Sequence, residues 1–338
     1  MPQETRAGRA VTAPGPVITF YEEPWQCVLA SQLRDANPFF HLYEAVWMLA
    51  GRDEAGGLST YVKDFGTRFA EDDGNIHGAY GYRWRFQFGY DQLSHIIERL
   101  REDLATRQAV LEMWDATKAD NNGADDLRAN VRDRPCNTHV YFRMRAGHLD
   151  MTVCCRSNDA IMGAYGANAV HFAFLQQYVA GKVGVPAGTY TQISNDFHVY
   201  EADLERLAKR ADLEPFSKVS GTPQQHRWMI HLTQLLSEGA TEYPRTQKLV
   251  ADPVTFDADL GKLMHLVDWL HADGPHNSLT KHGFNNPFLD HTVLPALEAH
   301  AFYRAGDWDL AVMHTAGIRA DDWRAACYNW LKKREKRT

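Results

Sequence analysis

The residue of this chain best placed for covalent chemistry is a cysteine. Cys136 follows Pro135 at the entrance to an alternating run, Thr138 to Arg145, that reads as a β-strand. A thiolate is an effective nucleophile where a nearby guanidinium lowers its pKa. Arg156 is the candidate: it closes the next alternating run, Leu149 to Arg156, beyond a turn at Gly147. Ser157 and Asp159 follow at once. A glycine-rich bend from Gly163 to Gly166 then delivers Asn168 to the start of an amphipathic helix over 169–183. A third strand, Thr189 to Ser194, runs out into His198 and Tyr200. Thiol, guanidinium, hydroxyl, carboxylate, carboxamide, imidazole and phenol thus gather at the ends of successive elements, as they do in a site.

Upstream elements must carry the remaining groups. After Asn37-Pro38, apolar residues recur at three and four up to the stop at Gly51, which predicts a buried helix with Glu44 inside its apolar run. A turn-rich loop over 61–85 ends in Tyr80-Gly81 and Trp84-Arg85. Arg107 stands at a corner between a helix over 91–106 and a strand over 109–114. Residues 116–132 are polar and rich in Asn and Asp, and read as a surface excursion without a core signal.

At 338 residues and 44% hydrophobic, the chain can bury a sizeable core. Its net charge of −7 gives no electrostatic reason to expect nucleic acid as a partner. No apolar run is long enough to span a membrane, so no membrane partner is expected and a cytoplasmic location is. Five unpatterned cysteines (Cys27, Cys136, Cys154, Cys155, Cys327) suggest free thiols in a reducing compartment. Cys154 and Cys155, adjacent on a strand, point to opposite faces, so no metal site is expected there. The organisation expected is a flexible arm over 1–16, a catalytic domain over 17–256 and a helical C-terminal extension over 257–338. Trp308, Trp323 and Trp330 read as core aromatics of that extension.

Pro-Cys, Arg-Ser-x-Asp, Gly followed by Asn, and His-x-Tyr, in this order over residues 40–205, resemble the catalytic half of the folate-dependent thymidylate synthase family. That family includes pyrimidine-nucleotide hydroxymethylases. The resemblance implies an α+β fold, a mixed β-sheet packed with helices, here with a helical C-terminal appendage. It also implies 5,10-methylenetetrahydrofolate as cofactor, a pyrimidine nucleoside monophosphate as substrate, and a homodimer. By the same resemblance Cys136 adds to C6 of the pyrimidine, Glu44 orders water beside the base, and Tyr80 assists proton removal from C5. Arg156, Ser157 and a partner subunit's Arg107 hold the phosphate, His198 and Tyr200 the sugar 3′-hydroxyl, and Asp159 faces the pterin. Asn168 reads the base edge, once one extra residue is allowed in the Gly163 bend. Asn at that place accompanies uracil in the family, which favours dUMP.

Four departures matter. Gln108 replaces the second phosphate-binding Arg, and Asn137 replaces the His that usually follows the nucleophile. Gly66 stands where methylating members carry a Trp over the folate, and the sequence ends in Trp-Leu-Lys-Lys-Arg-Glu-Lys-Arg-Thr rather than an apolar tail. A wetter site would let water trap the methylene, so 5-hydroxymethylation of dUMP is the expected reaction. Hydroxymethylation of dCMP or CMP, true thymidylate synthesis, and a non-catalytic nucleotide-binding scaffold are the alternatives.

Overall fold

A computed structural model of the chain describes residues 2–5, 8–116, 126–127, 130–237, 247–275 and 283–335. The strands are β1 (Pro2–Thr5), β2 (Gly8–Thr12), β3 (Val17–Tyr21), β4 (Val110–Glu112), β5 (Asn137–Arg145), β6 (His148–Cys155), β7 (Asn158–Asp159), β8 (Ala187–Ser194) and β9 (Phe197–Tyr200). Five of them form a mixed sheet in the order β3-β8-β6-β5-β4, antiparallel except for the parallel β6–β8 pair. The other four form a small sheet, β1-β2-β9-β7. Helices pack on the larger sheet, giving the expected α+β class.

Period-2 alternation decides which side chains enter the core. On β6, Leu149, Met151, Val153 and Cys155 are buried, and on β8 Ala187, Tyr190, Gln192 and Ser194 are. The helix Asn168–Val183 lies over this face, with Gln176 Nε2 donating to the Leu149 carbonyl at 2.8 Å. It packs in turn on the helix Pro38–Leu49, every residue of which is buried. Asn37 caps that helix, its side chain accepting from the Phe39 and Phe40 amides at 3.1 and 3.2 Å, with Pro38 in the first turn.

One expectation, about the start of the chain, needs correcting. Residues 2–5 and 8–12 are not a loose arm: β2 pairs with β9, matching Ala10 to Tyr200 and Thr12 to His198. Ala10 of β2 is fully buried and Val11 packs on the small core of Val199, Leu204 and Leu207. At the other end the expected C-terminal helices form, as Phe256–Asp273, Leu294–Ala305, Trp308–Ala316 and Asp321–Arg334, and they pack on the rest of the chain. Leu263, Val267, Leu297, Trp323 and Cys327 belong to the same apolar core as Trp47 and Phe172. Arg52 reaches across to Asp268 with two hydrogen bonds, at 2.7 and 2.5 Å. Most of the polar excursion at 117–129 lies outside the described residues, yet Asp126 is a core group. Its carboxylate is buried against Arg83, at 2.6 and 2.9 Å, and accepts from the Asp115 amide. Among the described residues no helix is long and apolar enough to cross a membrane.

Candidate active site

The site begins at an irregularity in β5. Val140 and Phe142 point into the core, so strict alternation would send Asn137 outward. A β-bulge breaks the register: Asn137 faces Cys155 while His139 faces Cys154. The extra residue turns Asn137 inward, where it is fully buried, and sets Cys136 at the strand mouth. Tyr80 holds this corner. Its hydroxyl accepts from the amides of Cys136 (3.1 Å) and Asn137 (3.2 Å) and from Asn137 Nδ2 (2.9 Å). Burial, reinforced by the Cys136 and Cys155 thiols, holds the Tyr80 phenol well above its ordinary pKa.

Cys136 is partly buried, and burial pushes its thiol up. Arg156 opposes that shift and the Asp133 carboxylate adds to it. Arg156 is placed by its own main chain, donating from its amide to the Cys136 carbonyl at 2.8 Å. Its guanidinium donates to the carbonyls of Pro135 at 2.9 Å and Arg134 at 3.2 Å, and lies over the Trp114 ring. Much of the side chain remains exposed. Cys155, three ångströms from the Ser157 carbonyl, is a less available thiol, raised by burial to about 12.

Asp159 accepts through one oxygen from the Ile161 and Met162 amides, at 2.7 and 2.9 Å, capping a π-helical stretch over Ala160–Ala167. Burial raises its pKa. The stretch kinks at Tyr165 and Gly166 and places Asn168 at the head of the long helix. A π-turn accommodates the one extra residue that the Asn168 reading requires. His198 and Tyr200 leave β9 together, their rings edge to face at 5.1 Å, and the buried His198 Nδ1 has no hydrogen-bond partner. Glu44 is buried with its Oε2 2.7 Å from His171 Nε2.

Cys136, Tyr80, Arg156, Ser157, Asp159, Asn168, His198 and Tyr200 are therefore brought to one end of the larger sheet. Arg107 is not. Val110 pairs with Tyr141, and Arg143 donates to the Thr106 carbonyl at 2.8 Å. That puts Arg107 level with the far end of β5, roughly 25 Å from Cys136 at strand rise, and it is exposed there. Gly66 sits in a short helix, Phe65–Phe69, its amide donating to Ser59 Oγ at 3.1 Å. A Cβ there would lie 3.2 Å from that oxygen.

Sequence reasoning missed His171, Asn158, Gln192 and Ser194. His171 lies three residues beyond Asn168, one helical step that could have been counted. Asn158, Gln192 and Ser194 gave only the signal of polar residues at inward positions of strands otherwise apolar on that face.

Residues 34–228 match the thymidylate synthase family model, and the chain belongs to that family. It is 37% identical over 337 residues to a deoxyuridylate hydroxymethyltransferase of Pseudomonas phage M6, covering 98% of this chain and 87% of that protein. A deoxyuridylate hydroxymethyltransferase of Bacillus phage SP01 is 35% identical over 206 residues, which is 58% of this chain and 52% of that one. Among solved structures, thymidylate synthase from T4 phage matches in fold, with a TM-score of 0.50 and 19% identity over 72% of this chain and 92% of that one.

Proposed function

We infer that the protein converts dUMP to 5-hydroxymethyl-dUMP, taking the one-carbon unit from 5,10-methylenetetrahydrofolate. The observation that carries this reading is the end-to-end similarity to a deoxyuridylate hydroxymethyltransferase. The site agrees with it at each step. Arg156 and Ser157 take the phosphate, His198 and Tyr200 the sugar, and Asn168 the uracil edge, donating to O4 and accepting from N3–H. His198 Nδ1 makes no hydrogen bond, with the Asp196 carboxylate 3.7 Å away, and a bound hydroxyl would supply one.

Cys136 adds to C6, which makes C5 nucleophilic toward the one-carbon electrophile. The bound folate supplies a carbon at the oxidation level of formaldehyde. Asp159 keeps one carboxyl oxygen clear of its capping bonds, suited to a pterin N–H, and the exposed Met162 and Tyr165 beside it offer apolar surface for a ring. Tyr80 stands against Cys136 and assists loss of the C5 proton. Water then adds to the exocyclic methylene and the Cys136 sulfur is expelled from C6. No hydride moves, and tetrahydrofolate leaves at its own oxidation level. Gly66, in place of a Trp, leaves the methylene without an aromatic cover, and the Glu44–His171 pair is placed to order water.

The working form is a homodimer. Arg107 cannot reach its own Cys136, and the outward face of the larger sheet carries Ile18, Phe20 and Tyr141 exposed, a surface suited to a second copy. Incubation of dUMP with methylenetetrahydrofolate, followed by mass spectrometry of the nucleotide, tests the reaction. A gain of CH2O supports hydroxymethylation; a gain of CH2 overturns it in favour of thymidylate synthesis.

A further inference from the structure

Behind Asn168 lies a closed circuit of four buried carboxamides. Asn137 Nδ2 donates to Asn168 Oδ1 at 3.3 Å, and Asn168 Nδ2 to Asn158 Oδ1 at 3.1 Å. Asn158 Nδ2 donates to Gln192 Oε1 at 3.0 Å, and Gln192 Nε2 back to Asn137 Oδ1 at 3.1 Å. The four residues are between 0% and 8% exposed. They come from β5, the head of the long helix, β7 and β8, so they meet only through the register of the sheet.

The capacity of each amide can be counted. Asn137 uses both N–H groups, on Asn168 and on Tyr80 Oη (2.9 Å). Asn158 uses both as well, on Gln192 and on Ser194 Oγ (2.9 Å). Gln192 Oε1 accepts from Asn158; the Tyr21 hydroxyl, 3.4 Å away, gives its proton to the Ala164 carbonyl. Asn168 keeps one free N–H and one free acceptor position, and at 8% exposure it is the most accessible of the four; Gln192 also keeps a spare N–H, but at 0% exposure. Gly163 makes the closure feasible, because a Cβ there would lie 2.5 Å from Asn158 Oδ1 and 3.3 Å from Asn168 Nδ2.

The circuit has a direction. Uracil needs an N–H of Asn168 at O4 and the Oδ1 at N3–H; cytosine needs the reverse. Turning Asn168 by itself would set its oxygen against Asn158 Oδ1 and its N–H against the Asn137 N–H, leaving buried groups unpaired at both contacts. The reversed edge therefore requires all four carboxamides to turn together.

We propose that Asn137, Asn158 and Gln192 are positioning residues that fix the orientation of the Asn168 amide and thereby select uracil over cytosine. This rests on the reading of Asn168 as the base-contacting residue. Gln192→Met removes the circuit's donor and acceptor at the member opposite Asn168, without touching Asn168. Asn158→Leu removes the neighbouring member.

The measurements are kcat/KM with dUMP and with dCMP, and dissociation constants of both nucleotides without folate, for variants whose melting transitions show a folded protein. The expected result is a dUMP-to-dCMP ratio at least tenfold lower than in the unaltered protein, arising in large part from improved dCMP binding. A purely structural role would depress both substrates together. A ratio within twofold of the unaltered protein overturns the proposal and leaves the proposed reaction standing. A preference for dCMP in the unaltered protein overturns the uracil reading, and this proposal with it. Should neither variant fold, solvent exchange of the side-chain amides in the dUMP complex decides. Protection of the four carboxamides supports the circuit, and exchange at the rate of surface amides overturns it.

Discussion

The long helix Asn168–Val183 covers one face of the larger sheet from end to end, and the two ends of that face bury different chemistry. Where β5 and β6 turn, it lies over Phe142, Leu149 and Met151, with Val179 and Ala180 in the same core. Where the strands open toward Cys136, the same face presents Asn137, Cys155, Gln192 and Ser194, all at 3% exposure or less. A buried carboxamide is costly unless paired, so the hydrocarbon end and the amide end are held together by different means. The first rests on area and close packing, the second on a set of directional bonds that leaves specific valences open. A fold can thus build stability and selectivity on one surface by changing the inward residues of three strands partway along them.

The sharpest test of this division is at Cys136. Cys136→Ser should lower turnover by at least about 1,000-fold, since the oxygen cannot serve as the leaving nucleophile. Binding of dUMP, measured by calorimetry, should stay within a few-fold. Normal turnover would remove the amide end's claim to the chemistry. The opposite end answers to a different measurement. Phe142→Ala should cost about 3–5 kcal/mol in denaturant unfolding through the cavity it leaves, while kcat per folded molecule is unchanged. A selective loss of kcat would mean that the two ends are not separable.

In the proposed homodimer Arg107 would link the two, since it stands at the hydrocarbon end of its own subunit and would serve the amide end of the partner. Arg107→Ala should raise the dUMP KM roughly ten- to a hundredfold, the size of one charge-assisted phosphate contact. Mixed with Cys136→Ser protein under subunit exchange, it should regain activity through hybrid dimers. No recovery, with hybrids demonstrably formed, would break the link.

The smallest effect is expected at Asp133, whose carboxyl burial raises to about 6 from an ordinary 3.8. A raised carboxyl favours the folded state while protonated, so that stability is full below about pH 4 and is lost as pH rises through 6. Asp133→Asn, which has no charge to desolvate, should be more stable than the parent by about 2 kcal/mol at pH 7.5 and equal to it near pH 4. Because the Asp133 charge also pushes the Cys136 thiol up, the ascending limb of kcat/KM, which follows thiolate formation, should move to lower pH in the variant.

Much of this layout was legible from local pattern. The expected strands over 138–145, 149–156 and 189–194 and the helix over 169–183 lie within two residues of β5, β6, β8 and Asn168–Val183, because alternation and helical periodicity are properties of neighbours. The residues at the element ends were legible too, as a constellation of types. The carboxamide circuit was not: Asn137 and Gln192 are far apart in sequence and become neighbours only through the β5–β6–β8 register, including a bulge that reverses the facing of Asn137. Asp126 was hidden for the same reason, as a polar residue in a polar stretch whose partner, Arg83, lies in a distant helix. The C-terminal helices were legible individually, but their docking on the Pro38–Leu49 helix is a matter of tertiary packing.

The pairing of β2 with β9 has a consequence for how the molecule is made. Ala10 is hydrogen-bonded into place opposite Tyr200, and Thr12 opposite His198. A ribosome that has released the opening residues must still add almost two hundred more before those residues have anything to pair with. Contacts of such long sequence separation are slow to form, so the small sheet is expected to assemble late. The strand bearing His198 and Tyr200 gains its last neighbour from residues made long before it, and its open edge is covered by the residues that waited for it.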